Sequence, residues 1–217
     1  MISAVCFKVS SFFIGVFVLI SVSSFGQTAD EQFDPEKYNP GYTLAMPEGW
    51  GVERFVIPIE FAPTIPYKGV EDVRFAPGWG DEKRSDYWTY AFLWFLEGKP
   101  EITPEATQRD LTAYYTGLIG RNIERRKIPK EKLMPVKVTM KKATADPGDL
   151  QTFSGTVEML DYMAQKPITF NCIVHVKMCP AKRNTFVFTQ ISPQPLTSDI
   201  WKGLRDLWTT FDCSPPK

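Results

Sequence analysis

Residues 152–191, TFSGTVEMLDYMAQKPITFNCIVHVKMCPAKRNTFVFTQI, decide the fold. The runs 152–160, 167–178 and 185–191 are extended and rich in β-branched and aromatic residues, and 136–141 ahead of them reads the same way. The links carry turn chemistry: Asp146-Pro-Gly-Asp149 before the stretch and Pro180-Ala-Lys-Arg-Asn184 within it. Links this short close hairpins, and they hold too few residues for the crossovers that parallel strands require. The second half of the chain therefore predicts an antiparallel sheet.

Moving outward, the period changes before and after these strands. Thr103-Pro104-Glu105 offers an N-cap, a proline at the first helical position and an acid in the first turn. Leu111, Tyr114, Tyr115, Leu118 and Ile119 recur at helical spacing, and Arg121, Arg125 and Arg126 stand where a helix end favours cations. A helix over 104–126 follows, weakened by Gly117 and Gly120 or brought by them close to the sheet. At the other end Thr197 or Ser198 caps a second helix, whose Ile200, Leu204, Leu207, Trp208 and Phe211 form one stripe.

Upstream, 42–46 reads as a short strand, 53–61 as an edge strand broken by Pro58, and 70–75 as a further extended piece. Residues 85–96 read as a long strand, with Tyr87, Thr89, Ala91, Leu93 and Phe95 on one face and Trp88, Tyr90, Phe92, Trp94 and Leu96 on the other, both apolar enough to be buried. Strands, helix, strands, helix is an α+β order: a mostly antiparallel sheet with two main amphipathic helices packed on it.

In the first 26 residues Lys8 is the only charge, an apolar run over 12–20 follows, and small residues lead to Gly26, the layout of a secretory signal peptide over 1–26. The run is too short for a membrane span, which needs about 20 apolar residues. Residues 27–40 are polar and predict a flexible leader, leaving 41–217 as a single domain. The 25 basic and 25 acidic side chains balance, so nothing in the charge points to nucleic acid. An exported chain without a membrane span, secreted or periplasmic, is the expectation.

The opening Gly41-Tyr-Thr-Leu-Ala-Met-Pro-Glu-Gly-Trp50, with the element order and the closing amphipathic helix, resembles the PsbP-like fold of the photosystem II extrinsic proteins. The likeness covers the element order over most of 41–217 and the residues at 41–50 only. It implies binding and assembly rather than catalysis, and no site residue follows from it.

Phe-Ala-Pro occurs twice, at 61–63 and 75–77. Each phenylalanine ends an extended run and each proline removes a ladder donor, so the repeat reads as two strand ends. A second reading sets two proline-stiffened loops side by side with Trp79 between them. Phe61, Phe75, Trp79, Tyr87 and Trp88 are accordingly the candidate binding residues. They serve a non-catalytic module of the cell envelope that uses the loops 61–88 toward an envelope protein or polymer.

The alternative is a hydrolase of an envelope polymer or carbohydrate, using acids among Glu60, Glu71, Asp72, Asp81, Glu82 and Asp86 beside Trp50, Trp79, Tyr87 and Trp88. No nucleophile elbow, phosphate loop, dinucleotide fingerprint or zinc-protease motif is present, so no catalytic residue, metal or cofactor is assigned. The single His175 shares a strand face with Thr169, Asn171 and Lys177 and reads as solvent-facing. Cys172 and Cys179 point to opposite faces of one strand and cannot pair. The final helix returns toward the end of that strand, which predicts a Cys179–Cys213 disulfide and leaves Cys172 as a small buried hydrophobe.

Overall fold

The computed structural model describes residues 33–35, 37–179 and 183–215. The expected signal segment and the start of the leader lie outside them. Seven strands form one sheet, all neighbours antiparallel, as the short links require: β1 (Gly51–Ile57), β2 (Gly69–Phe75), β3 (Tyr90–Glu97), β4 (Lys137–Ala143), β5 (Gln151–Asp161), β6 (Lys166–Cys179) and β7 (Asn184–Ser192). They lie in the order β1-β2-β3-β7-β6-β5-β4, so the N-terminal meander joins the C-terminal one through the β3–β7 ladder. Two helices complete the architecture, α1 (Pro104–Gly120) and α2 (Ile200–Thr209). Among the described residues no helix is long and apolar enough to cross a membrane.

Strand alternation feeds two cores. Tyr90, Phe92, Trp94 and Leu96 of β3 join Phe170, Cys172, Val174 and Val176 of β6 in the core that contains Leu111, Tyr114 and Tyr115 of α1. Ala91, Leu93 and Phe95 point the other way, to the core containing Trp201, Leu204, Leu207 and Trp208 of α2. Both faces of the sheet are covered, as the doubly apolar pattern read over residues 85–96 implies. Cys172 and Cys179 fall in different cores, and Cys179 is bridged to Cys213 while Cys172 is buried and free.

The structure corrects several expectations. Residues 42–46 form no strand. Beyond a single bridge from Thr43 to Asp212, the carbonyls of Leu44 and Ala45 are taken by the Arg74 guanidinium at 3.3 and 3.0 Å, so the segment is pinned by a side chain instead of a ladder. Arg74 in turn pairs with buried Asp72, which also accepts from the Tyr42 hydroxyl at 3.1 Å. The strand expected from 85 starts at Tyr90, because the chain before it is folded in a loop and Trp88 has a left-handed backbone (φ 53°). Helix α1 stops at Gly120, not 126. Its Thr103 cap accepts from the Ala106 N–H at 3.1 Å as expected, but past the two glycines the Asn122 side chain takes the Leu118 carbonyl at 2.8 Å and the chain breaks into turns. Helix α2 opens on Asp199 rather than Thr197 or Ser198, with no side-chain cap bond.

His175 is the largest departure. It is 2% exposed rather than facing solvent, because α2 covers its side of the sheet. Its ring stacks on Trp208 at 5.3 Å, and Nδ1 lies 2.7 Å from Asp149 Oδ2.

Candidate functional site

The loop over residues 76–89 is closed at its base by the Ala76 N–H to the Thr89 carbonyl and by the Trp88 N–H to the Trp79 carbonyl, both at 3.0 Å. Asp86 braces its middle, accepting from the Gly78 N–H at 2.8 Å and from Arg84 at 2.9 and 3.2 Å. Arg84 holds the Asp86 carboxyl below the usual carboxylate range. A Cβ at Gly78 would stand 2.0 Å from Asp86 Oδ1 and 2.1 Å from Arg84 Nε, so a larger residue here displaces the side chains that brace the loop. Tyr87 fastens the loop to the β5–β6 turn by donating to Asp161 Oδ2 at 2.7 Å.

These ties turn Trp88 inward to full burial, against Tyr162 at 5.0 Å and Phe170 at 5.3 Å. Trp79 packs over it, 5.5 Å from Trp88 and 4.7 Å from Phe75. Trp79 itself stays half-buried.

The first Phe-Ala-Pro is not a strand end. β1 finishes at Ile57 and Phe61 lies in the turns that follow, with Ala62 N–H on the Ile59 carbonyl at 2.9 Å. Phe75 does end β2, opposite Gly51. Phe61 meets Tyr114 of α1 at 5.2 Å, and the chain passes so near the helix that a Cβ on Gly117 would lie 1.8 Å from the Phe61 carbonyl oxygen. Gly117 thus brings α1 close to the 61-loop rather than to the sheet.

The two repeats converge. Phe61, Phe75, Trp79 and Trp88 line one cleft of about 310 Å³ between the C-terminal end of α1 and the first strands. Phe55, Tyr90, Tyr114 and Tyr162 complete an aromatic floor, and Glu53, Arg121, Asn122 and Arg125 stand among its polar lining. Of the five sequence candidates, Tyr87 does not line the cleft. It is 7% exposed and serves as a strut.

The polar groups are held in place. The Arg121 guanidinium lies over the Phe61 ring at 5.2 Å, and Arg125 donates to the Asn122 side-chain oxygen at 3.0 Å. Behind the floor, the Tyr114 hydroxyl donates to Glu71 Oε1 at 2.7 Å. Glu71 is fully buried, and that burial pushes its carboxyl up to about 7 against the opposing hydrogen bond from Tyr114. Sequence reading placed Arg121 and Arg125 at a helix end and Tyr114 in the core without joining them to Trp79. The available sign was Gly117, one turn before Arg121 on a helix flank.

The acids of the hydrolase alternative are dispersed. Asp72 is on the α2 side with Arg74, Asp86 is bound by Arg84, Glu82 pairs with Lys166, and Glu60 and Asp81 are exposed. Trp50 packs with the α2 core, away from the cleft. On the α2 side Asp146, Asp149 and His175 bring three potential ligand atoms within 4.8 Å of one another. Asp149 is already engaged at both oxygens: Oδ1 accepts from Trp208 Nε1 at 2.9 Å, and Oδ2 faces Thr152 at 2.9 Å and His175 at 2.7 Å. That cluster braces α2 against β6.

Compared with protein families, characterised proteins and solved structures, the chain has no match.

Proposed function

We propose that this chain is an exported, non-catalytic binding or assembly module whose contact surface is the aromatic cleft. The observation that carries the reading is convergence: Phe61 from the turns after β1, Phe75 from the end of β2, and Trp79 and Trp88 from the braced 76–89 loop line a single opening beside α1. Its volume of about 310 Å³ falls at the lower end of small-ligand sites, which are concave and mostly apolar with a few placed polar groups. The PsbP-like resemblance, with its emphasis on binding and assembly, favours the same class of function. The hydrolase alternative asks for two carboxylates facing each other across the cleft. Glu53 is the only acid among the lining residues described, which favours the binding reading.

The test compares what immobilised wild-type protein and its Trp79→Ala variant retain from an extract of the producing cell's envelope. The expected result is a component held by the wild type and released by the variant, with the variant still folded by circular dichroism. Identical retention by the two would overturn the reading.

A further inference from the structure

We infer that the cleft takes a small aromatic acid, a flat ring system carrying one anionic group. The inference rests on the reading of the cleft as a binding site and adds the chemistry of its ligand.

The ring preference comes from the floor. Phe75 and Trp79 meet at an interplanar angle of 55° and Trp79 and Trp88 at 72°. The stack is tilted, not closed, and a planar guest can meet these rings in the offset or edge-to-face arrangements they favour. Trp79 is half-buried while Trp88 lies fully buried beneath it, so Trp79 is the ring that a guest meets.

The charge preference comes from the rim. Arg121 and Arg125 line the cleft and are exposed, and neither takes part in any ion pair among the described residues. Other arginines of the protein are used up: Arg74 and Arg54 on Asp72, Arg84 on Asp86, and Arg109 on Asp110. Arg121 is stacked on Phe61 and Arg125 tethered by Asn122, so both guanidinium groups are positioned in advance of any ligand. A guanidinium presents a planar fork of donors that matches a carboxylate. Glu53 is the single acid in the lining. Two cations against one anion leave one uncompensated positive charge, which sets the ligand's charge. A neutral sugar stacking on the same rings leaves that charge unused.

The experiment is a calorimetric titration of the protein with 2-naphthoate and with its uncharged counterpart 2-naphthylmethanol, at low salt where exposed charges are least screened. The acid should bind about tenfold tighter, the order expected of a hydrogen bond to a charged group. In the Arg121→Gln/Arg125→Gln variant, whose changes lie at exposed positions, the gap should shrink to roughly threefold or less, and Glu53→Gln should tighten naphthoate about twofold. The indole N–H resonances of Trp79 and Trp88 should shift on binding. Equal affinity for the two compounds overturns the inference and leaves the cleft as a site for neutral ligands. A preference for the acid that survives the double substitution also overturns it, because the anion then sits elsewhere. Failure of both compounds to bind, with retention from the extract still dependent on Trp79, rejects the ligand class alone. Retention that ignores Trp79 rejects the site itself.

Discussion

One sheet, rich in aromatics on both sides, is finished differently on its two faces. On the α2 side the large rings at the helix go into packing: Phe188, Trp208 and Phe211 lie in near-parallel succession at 5.1 and 5.0 Å, His175 stacks on Trp208, and Asp149 takes the Trp208 indole donor. A disulfide and the Arg74 cluster close that face further. On the α1 side the same kinds of residue cover the sheet only as far as the helix reaches. Helix α1 stops at Gly120, and where it stops the rings become the floor of a cleft. The contrast teaches that aromatic content alone does not mark a site. What marks one is the place where the covering element ends and the rings lose their lid.

The strongest challenge to this comparison is Trp208→Ala. If the α2 face is closed packing, removing the ring should cost about 3–5 kcal/mol, read as a lower urea midpoint, with naphthoate binding by the remaining folded protein unchanged. A cost under about 1 kcal/mol would mean the face is looser than its contacts indicate. Next in size, Cys213→Ser opens a cross-link spanning 34 residues. The chain-entropy relation gives about 3–4 kcal/mol, and non-reducing peptide mapping of the wild type should join positions 179 and 213.

Glu71 and Asp72 sharpen the contrast within two consecutive residues of β2, because alternation sends them to opposite faces. Asp72 is buried with a guanidinium partner, whereas Glu71 is buried with a phenol. The folded pKa of Glu71, about 7, lies above its ordinary 4.5, so between those values the folded chain holds a proton that the unfolded chain has released. Its contribution to stability therefore falls as pH rises from about 4.5 to 7 and stays low above that. Glu71→Gln should remove this slope and make the protein more stable at pH 8, by up to about 3 kcal/mol, as measured by urea unfolding at both ends of the range. A variant with an unchanged slope would rule out Glu71 as its source.

The smallest effect on stability is expected at the cleft itself. Trp79 is half-buried and shares contacts with Phe75 and Trp88, so Trp79→Ala should cost about 1–2 kcal/mol, well short of a core tryptophan. Its loss should appear in ligand retention instead. A drop matching that of Trp208→Ala would show that the ring is a plug.

Much of this was legible in the residues. The hairpin links fixed antiparallel pairing, the doubly apolar 85–96 run announced two covered faces, and the return of the final helix toward the end of the 167–178 strand brought Cys213 to Cys179. Four of the five binding candidates reach the cleft. What could not be read was set by contacts distant in sequence. Arg74 overrides the strand tendency of 42–46 by taking two of its carbonyls. His175 looked polar and wet because nothing local reveals that α2 lies over it. Trp88 alternates correctly with β3, yet the bracing of Asp86 by Gly78 and Arg84 bends its backbone out of the strand. In the sequence Arg121 and Arg125 read as cations at a helix end, and only the approach of the 61-loop to Gly117 places them beside the rings.

The bridge between Thr43 and Asp212, with N–H to carbonyl bonds of 2.8 and 3.0 Å in each direction, sets the start and finish of the folded body side by side on the α2 side. Topologically the domain is a ring with one seam, and the cleft lies away from that seam. A circular permutant that joins the chain across the seam with a short glycine-rich linker, and opens it instead after exposed Lys99, should keep the sheet, the disulfide and the cleft. The same adjacency makes the domain easy to insert whole into a surface loop of another protein, entering and leaving by one narrow doorway.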